Sequence, residues 1–147
     1  TIDVIATDHA PHHYEEKERE FDDAPFGVVG LETALGVVMG ELVESGRLSL
    51  GAVVDRLSCA PARIMGLDVG TLRQGARGDI VVFDPAERWT VDASTFESRS
   101  RNTPFVRKEL VGRVRATWVG GEPRYELPKE VSPVREGAPR YVGQGSV

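Results

Sequence analysis

Apolar residues recur at helical spacing in the first half of the chain. Five of them lie three or four positions apart, which makes one helix face continuous: Val28, Leu31, Leu35, Val38 and Leu42. The run follows a turn signal at residues 24–27 and precedes Gly46, where a glycine stop is expected. The pattern therefore predicts a helix from Val28 to just before Gly46. Gly36 and Gly40, four positions apart in this helix, favour close packing on a neighbouring element.

A second helical stretch follows directly. Ser49 is a typical N-cap residue, and it predicts a helix over about residues 50–58. The side chains predicted to point inward are Val53, Val54 and Leu57. Pro61 cannot donate a backbone hydrogen bond, so it is predicted to break this helix and to open a third, short helix over residues 62–66.

The second half of the chain has the patterns of strands. Ile80–Phe83 is a continuous apolar run closed by Asp84-Pro85, which predicts a buried strand. Residues 111–119 alternate between apolar and polar side chains and end at Gly120-Gly121, a typical hairpin turn. The return strand is predicted over residues 122–125. This half is therefore predicted to be a small β-module that follows the helices.

The chemistry-bearing side chains cluster after a short β-branched run, residues 2–7, which is itself predicted to be a strand. The run stops at Asp8, and all three histidines of the chain follow at once: His9, His12 and His13. Parallel α/β enzymes present metal ligands and acid–base groups in this way, at the ends of buried strands. From the residues alone, an aspartate that caps the turn explains Asp8 equally well. The charged stretch 14–23 is interpreted as a solvated loop.

Composition narrows the classes of function. The chain has 147 residues, 40% of them apolar and 28% charged, which is typical of a soluble globular protein with a real core. A net charge of −5 argues against a nucleic-acid surface, and no run has the length or character of a membrane span or signal peptide. The single cysteine, Cys59, is interpreted as a small packing residue and is consistent with a reducing cytoplasm.

Three segments resemble one known family. Ile5–His12 is similar to the strand-eight motif of dihydroorotase, a member of the amidohydrolase superfamily. Pro25-Phe26-Gly27 and Arg101–Phe105 resemble two further signatures of that family, and the resemblance runs from Thr1 to about Tyr125. It covers only the C-terminal part of the family's length.

The resemblance implies that this chain is part of a larger fold, and physical reasoning also predicts that the fold is incomplete. A single parallel strand followed by helices leaves backbone groups unpaired and apolar faces uncovered. The expected class is α/β: residues 1–66 would be the last strand and helices of a TIM-like (β/α)8 barrel. Residues 67–127 would be the C-terminal part of a small β-sandwich, and residues 128–147 a tail.

The resemblance also implies roles for individual residues. Asp8 would ligate a catalytic metal, usually zinc, and carry a proton from the attacking water to the leaving nitrogen. His12 would contact a substrate carboxylate, and the backbone of Phe26 and Gly27 would meet the substrate ring. Phe26 as a hydrophobic staple into the core is the alternative. His9 is expected to be structural, and Arg101–Phe105 a structural turn without catalytic groups.

The expected activity is that of dihydroorotase, which interconverts N-carbamoyl-L-aspartate and dihydroorotate in pyrimidine synthesis. The other ligands for one or two zinc ions would lie upstream, so this chain alone is predicted to be inactive. Two alternatives are another cyclic amidohydrolase, such as an allantoinase or hydantoinase, and a non-catalytic scaffold for aspartate transcarbamoylase. A cytoplasmic location is expected, with the missing part of the barrel and possible homodimer or transcarbamoylase contacts as partners, and no nucleic acid or membrane.

Overall fold

The computed structural model describes residues 2–128. Four short α-helices lie in its first half: α1 (Tyr14–Lys17), α2 (Ala34–Val38), α3 (Leu50–Val54) and α4 (Ala60–Ile64). A π-helical segment, Met39–Glu44, continues α2, and another, Asp55–Cys59, joins α3 to α4. Three strands follow: β1 (Ile80–Thr90), β2 (Glu109–Val119) and β3 (Glu122–Glu126), with a 3-10 turn at Ala93–Thr95. None of the helices in this part of the chain is long and apolar enough to cross a membrane.

The strands form an antiparallel sheet in the order β1-β2-β3. Gly120 and Gly121 both have positive φ, 61° and 83°, and form the tight turn of the predicted β2–β3 hairpin. The prediction that Asp84-Pro85 ends the first strand is wrong. β1 continues to Thr90 because the pair lies in a register irregularity between Asp84 and Arg88, where the missing proline N–H breaks no ladder bond.

The strand β1 is also less buried than its sequence predicts. Val81 is 54% exposed and Val82 47%, although both belong to the continuous apolar run of residues 80–83. The three-stranded sheet has one neighbouring helical element, α2 with its π-helical continuation, and this element packs on β2. Within residues 2–128, nothing covers this part of β1.

The helix predicted from Val28 begins later, at Ala34, and turns a different face inward. Its buried positions are Gly36 and Met39, whereas Leu31, predicted to be inside, is exposed. The predicted close packing is confirmed for Gly36, where a Cβ would lie 3.0 Å from the Leu110 side chain; a Cβ on Gly40 would make only an ordinary contact, at 3.7 Å from the Val111 side chain. The close approach to β2, not the apolar stripe, sets the orientation of this helix.

The second helical stretch agrees with the sequence at its start and departs at its end. Ser49 caps it as predicted, since its Oγ accepts a hydrogen bond from Ala52 N at 3.2 Å. Val53 is fully buried, but Val54, also predicted to point inward, is exposed. Pro61 does not break the helix, because the segment before it widens into π-helical geometry and Ala60 N donates to Asp55 O. A ring without an N–H is accommodated where the ladder is already shifted.

The core lies between the loop that precedes α2 and the sheet. Val29, Val91 and Phe96 form its buried centre, and four half-buried side chains pack against them: Trp89, Ala93, Phe105 and Leu110. This cluster joins segments far apart in the sequence, and it fixes the position of the loop that carries Phe26 and Gly27.

The strand predicted over residues 2–7 is absent, because no ladder partner lies beside it among residues 2–128. Ile5 N donates instead to Arg56 O at 3.0 Å, and Arg56 Nε donates to Ile2 O at 3.1 Å. A strand exists only where a neighbouring chain segment pairs with it. The division into residues 1–66 and 67–127 stays a prediction, and almost all of the predicted tail lies outside the described residues.

Candidate active site

Two loops lie side by side at the predicted site. His9 and Val28 form a parallel bridge, and Ala10 N donates to Val28 O at 2.9 Å. A Cβ on Gly30 would lie 3.0 Å from Thr7 O, so the two backbones are in direct contact on both sides of Asp8. The loop at residues 26–30 is held by the core at Val29 and thereby holds the segment that carries Asp8.

Asp8 occupies an uncommon backbone conformation. Its φ is 46°, in the left-handed region, which aspartate tolerates better than most non-glycine residues. Its side chain is exposed, and no hydrogen bond or ion pair within residues 2–128 uses the carboxylate. The alternative of an aspartate that caps the turn therefore has no contact to support it, and the carboxylate is available to a ligand.

An oxygen donor such as Asp8 suits a zinc ion, but one donor does not make a zinc site. Within residues 2–128, no three His, Cys, Asp or Glu side chains come close enough together to hold a metal ion. The described part of the chain fits a metal centre as the source of one ligand. It does not fit one as a complete site.

His9 has a structural contact, as expected. Its Nδ1 accepts a hydrogen bond from the backbone N–H of Gly30, a buried residue, at 3.1 Å. When neutral, His9 therefore carries its proton on Nε2. This bond adds a side-chain link between the Asp8 segment and the loop at residues 26–30.

His12 and Gly27 come together, fifteen positions apart in the sequence. The Nε2 of His12 lies 3.3 Å from the point that a Cβ on Gly27 would occupy. The His12 side chain is 23% exposed, and its Nδ1 lies 3.6 Å from Glu16 Oε2. One imidazole nitrogen thus faces a carboxylate, and the other lies beside Gly27.

Phe26 and Gly27 differ in what they present to this site. The side chain of Phe26 is 94% exposed, so the alternative of a staple into the core is wrong. Gly27 has a φ of 114°, and a Cβ there would lie 2.5 Å from the Cβ of Ala10. Both the conformation and the space require glycine at this position.

Sequence reasoning missed Lys17. The stretch interpreted as a solvated loop begins with α1, whose His13 N donates to Glu16 Oε2 at 3.2 Å. Lys17 Nζ then donates to Pro25 O at 2.8 Å and to Gly27 O at 3.2 Å, and so ties α1 to the loop beside His12. Glu16, three positions after the N-cap residue His13, is a sequence signal for the start of α1. It was missed because histidine is an unusual N-cap residue.

The side chain of Asn102 was missed as well. Asn102 lies in the segment Arg101–Phe105, predicted to be structural, and it joins both loops: its Nδ2 donates to Ala10 O at 2.9 Å and to Gly27 O at 3.2 Å. Among residues 2–128, the Arg101 side chain donates to Ser98 O and Ser100 O.

Glu32 lies in the turn before α2 and accepts a hydrogen bond from Ser98 N at 2.8 Å. Burial raises the pKa of this carboxyl, but the hydrogen bonds from Ser98 and its own backbone, with the charge of His9, outweigh burial. The hydrogen bonds lower the pKa of Glu32 below its ordinary value, so the carboxylate stays ionised near neutral pH and keeps this link between the turn and the loop at Ser98.

A groove of about 680 Å³ opens beside His12. Its walls come from the segment after Asp8, from α1 and from the segment before Thr103: Pro11–Tyr14, Lys17, Glu18 and Arg99–Asn102. Asp8, Phe26 and Gly27 do not line it. The structure therefore pairs His12 with Gly27 but does not gather all the predicted site residues in one cavity.

Family models and related sequences both relate this chain to one family. Residues 26–125 match the amidohydrolase family. A dihydroorotase of Citrifermentans bemidjiense is 52% identical over 126 residues, which are 86% of this chain and 30% of that protein. A dihydroorotase of Clostridium acetobutylicum is 48% identical, also over 126 residues, with the same shares of the two chains. The chain thus spans about 30% of the length of these relatives.

Solved structures with the same fold are longer enzymes too. The L-hydantoinase (dihydropyrimidinase) of Arthrobacter aurescens has a TM-score of 0.77 and 34% identity, and the match covers 84% of this chain and 29% of that one. The D-hydantoinase (dihydropyrimidinase) of a Thermus species has a TM-score of 0.73 and 30% identity, over 82% and 28% of the two chains. The small α/β unit described above is a piece of the amidohydrolase fold.

Proposed function

The chain belongs to the amidohydrolase family, and we propose that the protein of which it forms part is a dihydroorotase. That protein would interconvert N-carbamoyl-L-aspartate and (S)-dihydroorotate in de novo pyrimidine synthesis. Its relatives named dihydroorotase support this proposal. Because the chain spans about 30% of those relatives, the activity is assigned to the whole protein. The chain alone is expected to be inactive, since one carboxylate does not hold a catalytic zinc.

The observation that carries the proposal is the contact between His12 and Gly27, on the segment that begins with Asp8. An imidazole beside a glycine suits a planar ring that bears a carboxylate, because a backbone without a side chain lets the ring come close while the imidazole donates to the carboxylate. Dihydroorotate has both features. The exposed carboxylate of Asp8 is left free for the reaction itself.

In the hydrolytic direction, a water oxygen bonds to the ring amide carbonyl and the bond from that carbon to the ring nitrogen breaks. Zinc, when bound, supplies charge that polarises the carbonyl and lowers the pKa of water. Asp8 would ligate the metal, accept the proton of the attacking water and return it to the departing nitrogen. His12 and the backbone of Phe26 and Gly27 would hold the substrate throughout.

The proposal extends to the fold and surroundings of the chain. Residues 1–66 would complete a TIM-like barrel with its eighth strand and following helices, and residues 67–127 would complete a small β-sandwich. One or two zinc ions, a cytoplasmic location and contact with a second copy or with aspartate transcarbamoylase belong to the same proposal. Zinc analysis and native mass spectrometry of the whole protein test the metal and the assembly.

A second candidate keeps the fold and changes the substrate to hydantoin or dihydrouracil. The structural neighbours named hydantoinase favour it. These rings lack the carboxylate that His12 is proposed to contact. Turnover of the whole protein with dihydrouracil that exceeds turnover with dihydroorotate would support this candidate over the first.

The central experiment replaces Asp8 in the whole protein. Asp8→Asn and Asp8→Ala are expected to reduce turnover of dihydroorotate by about 10³-fold or more, since each removes a ligand and the proton acceptor. The circular dichroism spectrum should stay that of the wild type, because no contact among residues 2–128 uses this carboxylate.

Asp3→Asn is the matched control. Asp3 is exposed on the same segment, five positions earlier, and its replacement should leave turnover unchanged. Turnover within tenfold of wild type in both Asp8 variants would contradict the proposed role of Asp8.

A further inference from the structure

Asn102 makes more long-range side-chain hydrogen bonds than its place in a turn requires. Its Nδ2 donates to Ala10 O and Gly27 O, and its Oδ1 accepts from His12 N at 3.3 Å and from the Ser100 hydroxyl. The partners His12, Ala10 and Gly27 are 90, 92 and 75 positions away. A carboxamide has two donors and two acceptor lone pairs. Both donors and one lone pair bond to the two loops, and the other lone pair shares the single Ser100 hydroxyl proton with His12 O.

The three bonds to the loops fix the orientation of the amide. A flip by 180° would bring the oxygen against two carbonyl oxygens and the NH₂ group against the N–H of His12. Neither arrangement can form a hydrogen bond. The side chain therefore holds Ala10, His12 and Gly27 at fixed distances from one another.

Asn102 is in turn fixed to the core. Its backbone oxygen accepts a hydrogen bond from Val29 N at 3.0 Å, and Val29 is fully buried against Val91 and Phe96. Ser100 Oγ also reaches His12 O, so the segment at residues 100–102 contacts both backbone polar groups of His12. The packed core thus fixes the position of Asn102, and Asn102 in turn fixes the position of the His12 imidazole beside the groove.

The turn itself closes without this side chain. Thr103 N donates to Arg101 O at 2.8 Å, Phe105 N donates to Thr103 Oγ1 at 3.3 Å, and Arg101 donates to Ser98 O and Ser100 O. A residue needed only for the turn would make such local bonds. The side chain of Asn102 instead bonds to the two loops that carry His12 and Gly27.

We propose that Asn102 is a positioning residue for substrate binding, which holds the His12 imidazole and the Gly27 backbone in the arrangement that receives the carboxylate-bearing ring. This inference rests on the proposed function for its substrate. It assigns no contact with substrate to Asn102 itself. The residue acts through the two loops, and its loss should affect binding before chemistry, because Asp8 is not among its partners.

The test uses the whole protein and three variants. Asn102→Asp keeps the shape but turns an oxygen toward the carbonyls of Ala10 and Gly27, and Asn102→Ala removes all four groups. Both are expected to raise the KM for dihydroorotate about tenfold and to change kcat and zinc content less than twofold, the size expected for a misplaced hydrogen-bonding group. Ser100→Ala removes the hydroxyl shared between Asn102 Oδ1 and His12 O but leaves the other three bonds of the carboxamide, and it should raise KM about threefold.

Thr103→Ala is the matched control, since it removes a hydrogen bond within the turn and none to the two loops. It is expected to leave KM unchanged. A KM increase in Thr103→Ala equal to that in the Asn102 variants, or parallel losses of kcat, zinc and folded protein in all of them, would overturn the positioning role. If neither Asn102 variant folds, Ser100→Ala decides: an unchanged KM in that variant overturns the proposal.

Hydrogen exchange separates this inference from the proposed function. The amide of His12 should exchange faster in Asn102→Ala than in wild type or Thr103→Ala, whether or not the protein acts on dihydroorotate. Wild-type protein without dihydroorotase activity but with this exchange pattern would refute the function and keep the link from Asn102 to His12. Unchanged exchange at His12 would refute the link itself.

Discussion

Gly27 is the position at which backbone conformation, packing and the proposed chemistry meet. Its φ of 114° is rare for residues with a side chain, and the space a Cβ would need is filled by Ala10. Three groups converge on it: Lys17 Nζ and Asn102 Nδ2 donate to its carbonyl, and His12 Nε2 lies 3.3 Å from where its Cβ would be. A change here moves the imidazole as well as the loop.

Gly27→Ala is expected to destabilise the whole protein and to weaken substrate binding. The left-handed conformation costs a residue with a Cβ about 1 kcal/mol, and the overlap at 2.5 Å from Ala10 Cβ adds about 1–3 kcal/mol. The measurements are urea unfolding and the KM for dihydroorotate.

Gly46→Ala is the control for this change. Gly46 has a φ of 73°, but a Cβ there would meet nothing within 4 Å. Gly46→Ala should therefore lower the unfolding free energy by the conformational cost alone and leave KM normal. Equal unfolding free energies for the two variants would contradict the overlap, and a normal KM in Gly27→Ala would contradict the role of Gly27 at the site.

The sequence allowed Asp8, His12, Phe26 and Gly27 to be selected, because they lie in two short contiguous motifs. The structure pairs His12 with Gly27, while the chemical role of Asp8 remains a proposal. Lys17 and Asn102 were not selected, since their hydrogen bonds go to backbone carbonyls of other segments. Every residue has a backbone carbonyl, so the sequence does not show which carbonyls accept these hydrogen bonds.

At the scale of elements, α2 illustrates what periodicity can predict. The spacing of apolar residues indicated a helix in the right region, and the glycine stop at Gly46 is where it was expected. The buried face was predicted wrongly, because the apolar stripe is wider than the contact with β2. Within residues 2–128, the contact surface is set by Gly36 and Met39, where two backbones approach closely.

The two glycines of this helix should respond in opposite ways to an added methyl group. A Cβ on Gly36 would lie 3.0 Å from the Cβ of Leu110, on a strand that cannot move away, so Gly36→Ala should destabilise by about 1–3 kcal/mol. A Cβ on Gly40 would make an ordinary contact at 3.7 Å with Val111. Gly40→Ala should be neutral or stabilise by up to about 1 kcal/mol, because alanine favours the helix.

Urea unfolding of the two variants of the whole protein measures this difference, and each serves as the control of the other. Stabilisation by Gly36→Ala would mean that α2 does not rest on β2 at that distance. The same pair also tests whether the contact in this part of the chain persists when the rest of the protein is present.

At the scale of the whole molecule, the described residues carry more apolar surface than a self-contained unit would leave uncovered. Val81 and Val82 are about half exposed, and Leu31 is exposed as well. The chain matches about 30% of the length of its relatives. The sequence allowed this incompleteness to be predicted, since a lone parallel strand and a continuous apolar run both need neighbours. It could not give the burial of β1, because burial depends on which segments pack on the strand.

Val82→Lys in the whole protein tests whether other segments cover β1. If β1 stayed as open as it is in residues 2–128, a lysine would change the unfolding free energy by less than about 0.5 kcal/mol, as surface substitutions commonly do. If the remaining length of the protein covers this strand, the change removes apolar contact and buries a charge, which costs about 2 kcal/mol or more. We expect the larger loss. Gln74→Lys is the control, because it adds the same charge at an exposed polar turn, and it should change the unfolding free energy by the smaller amount. Equal effects at the two positions would mean that β1 is solvent-exposed in the whole protein. No second layer of a β-sandwich would then pack on this strand.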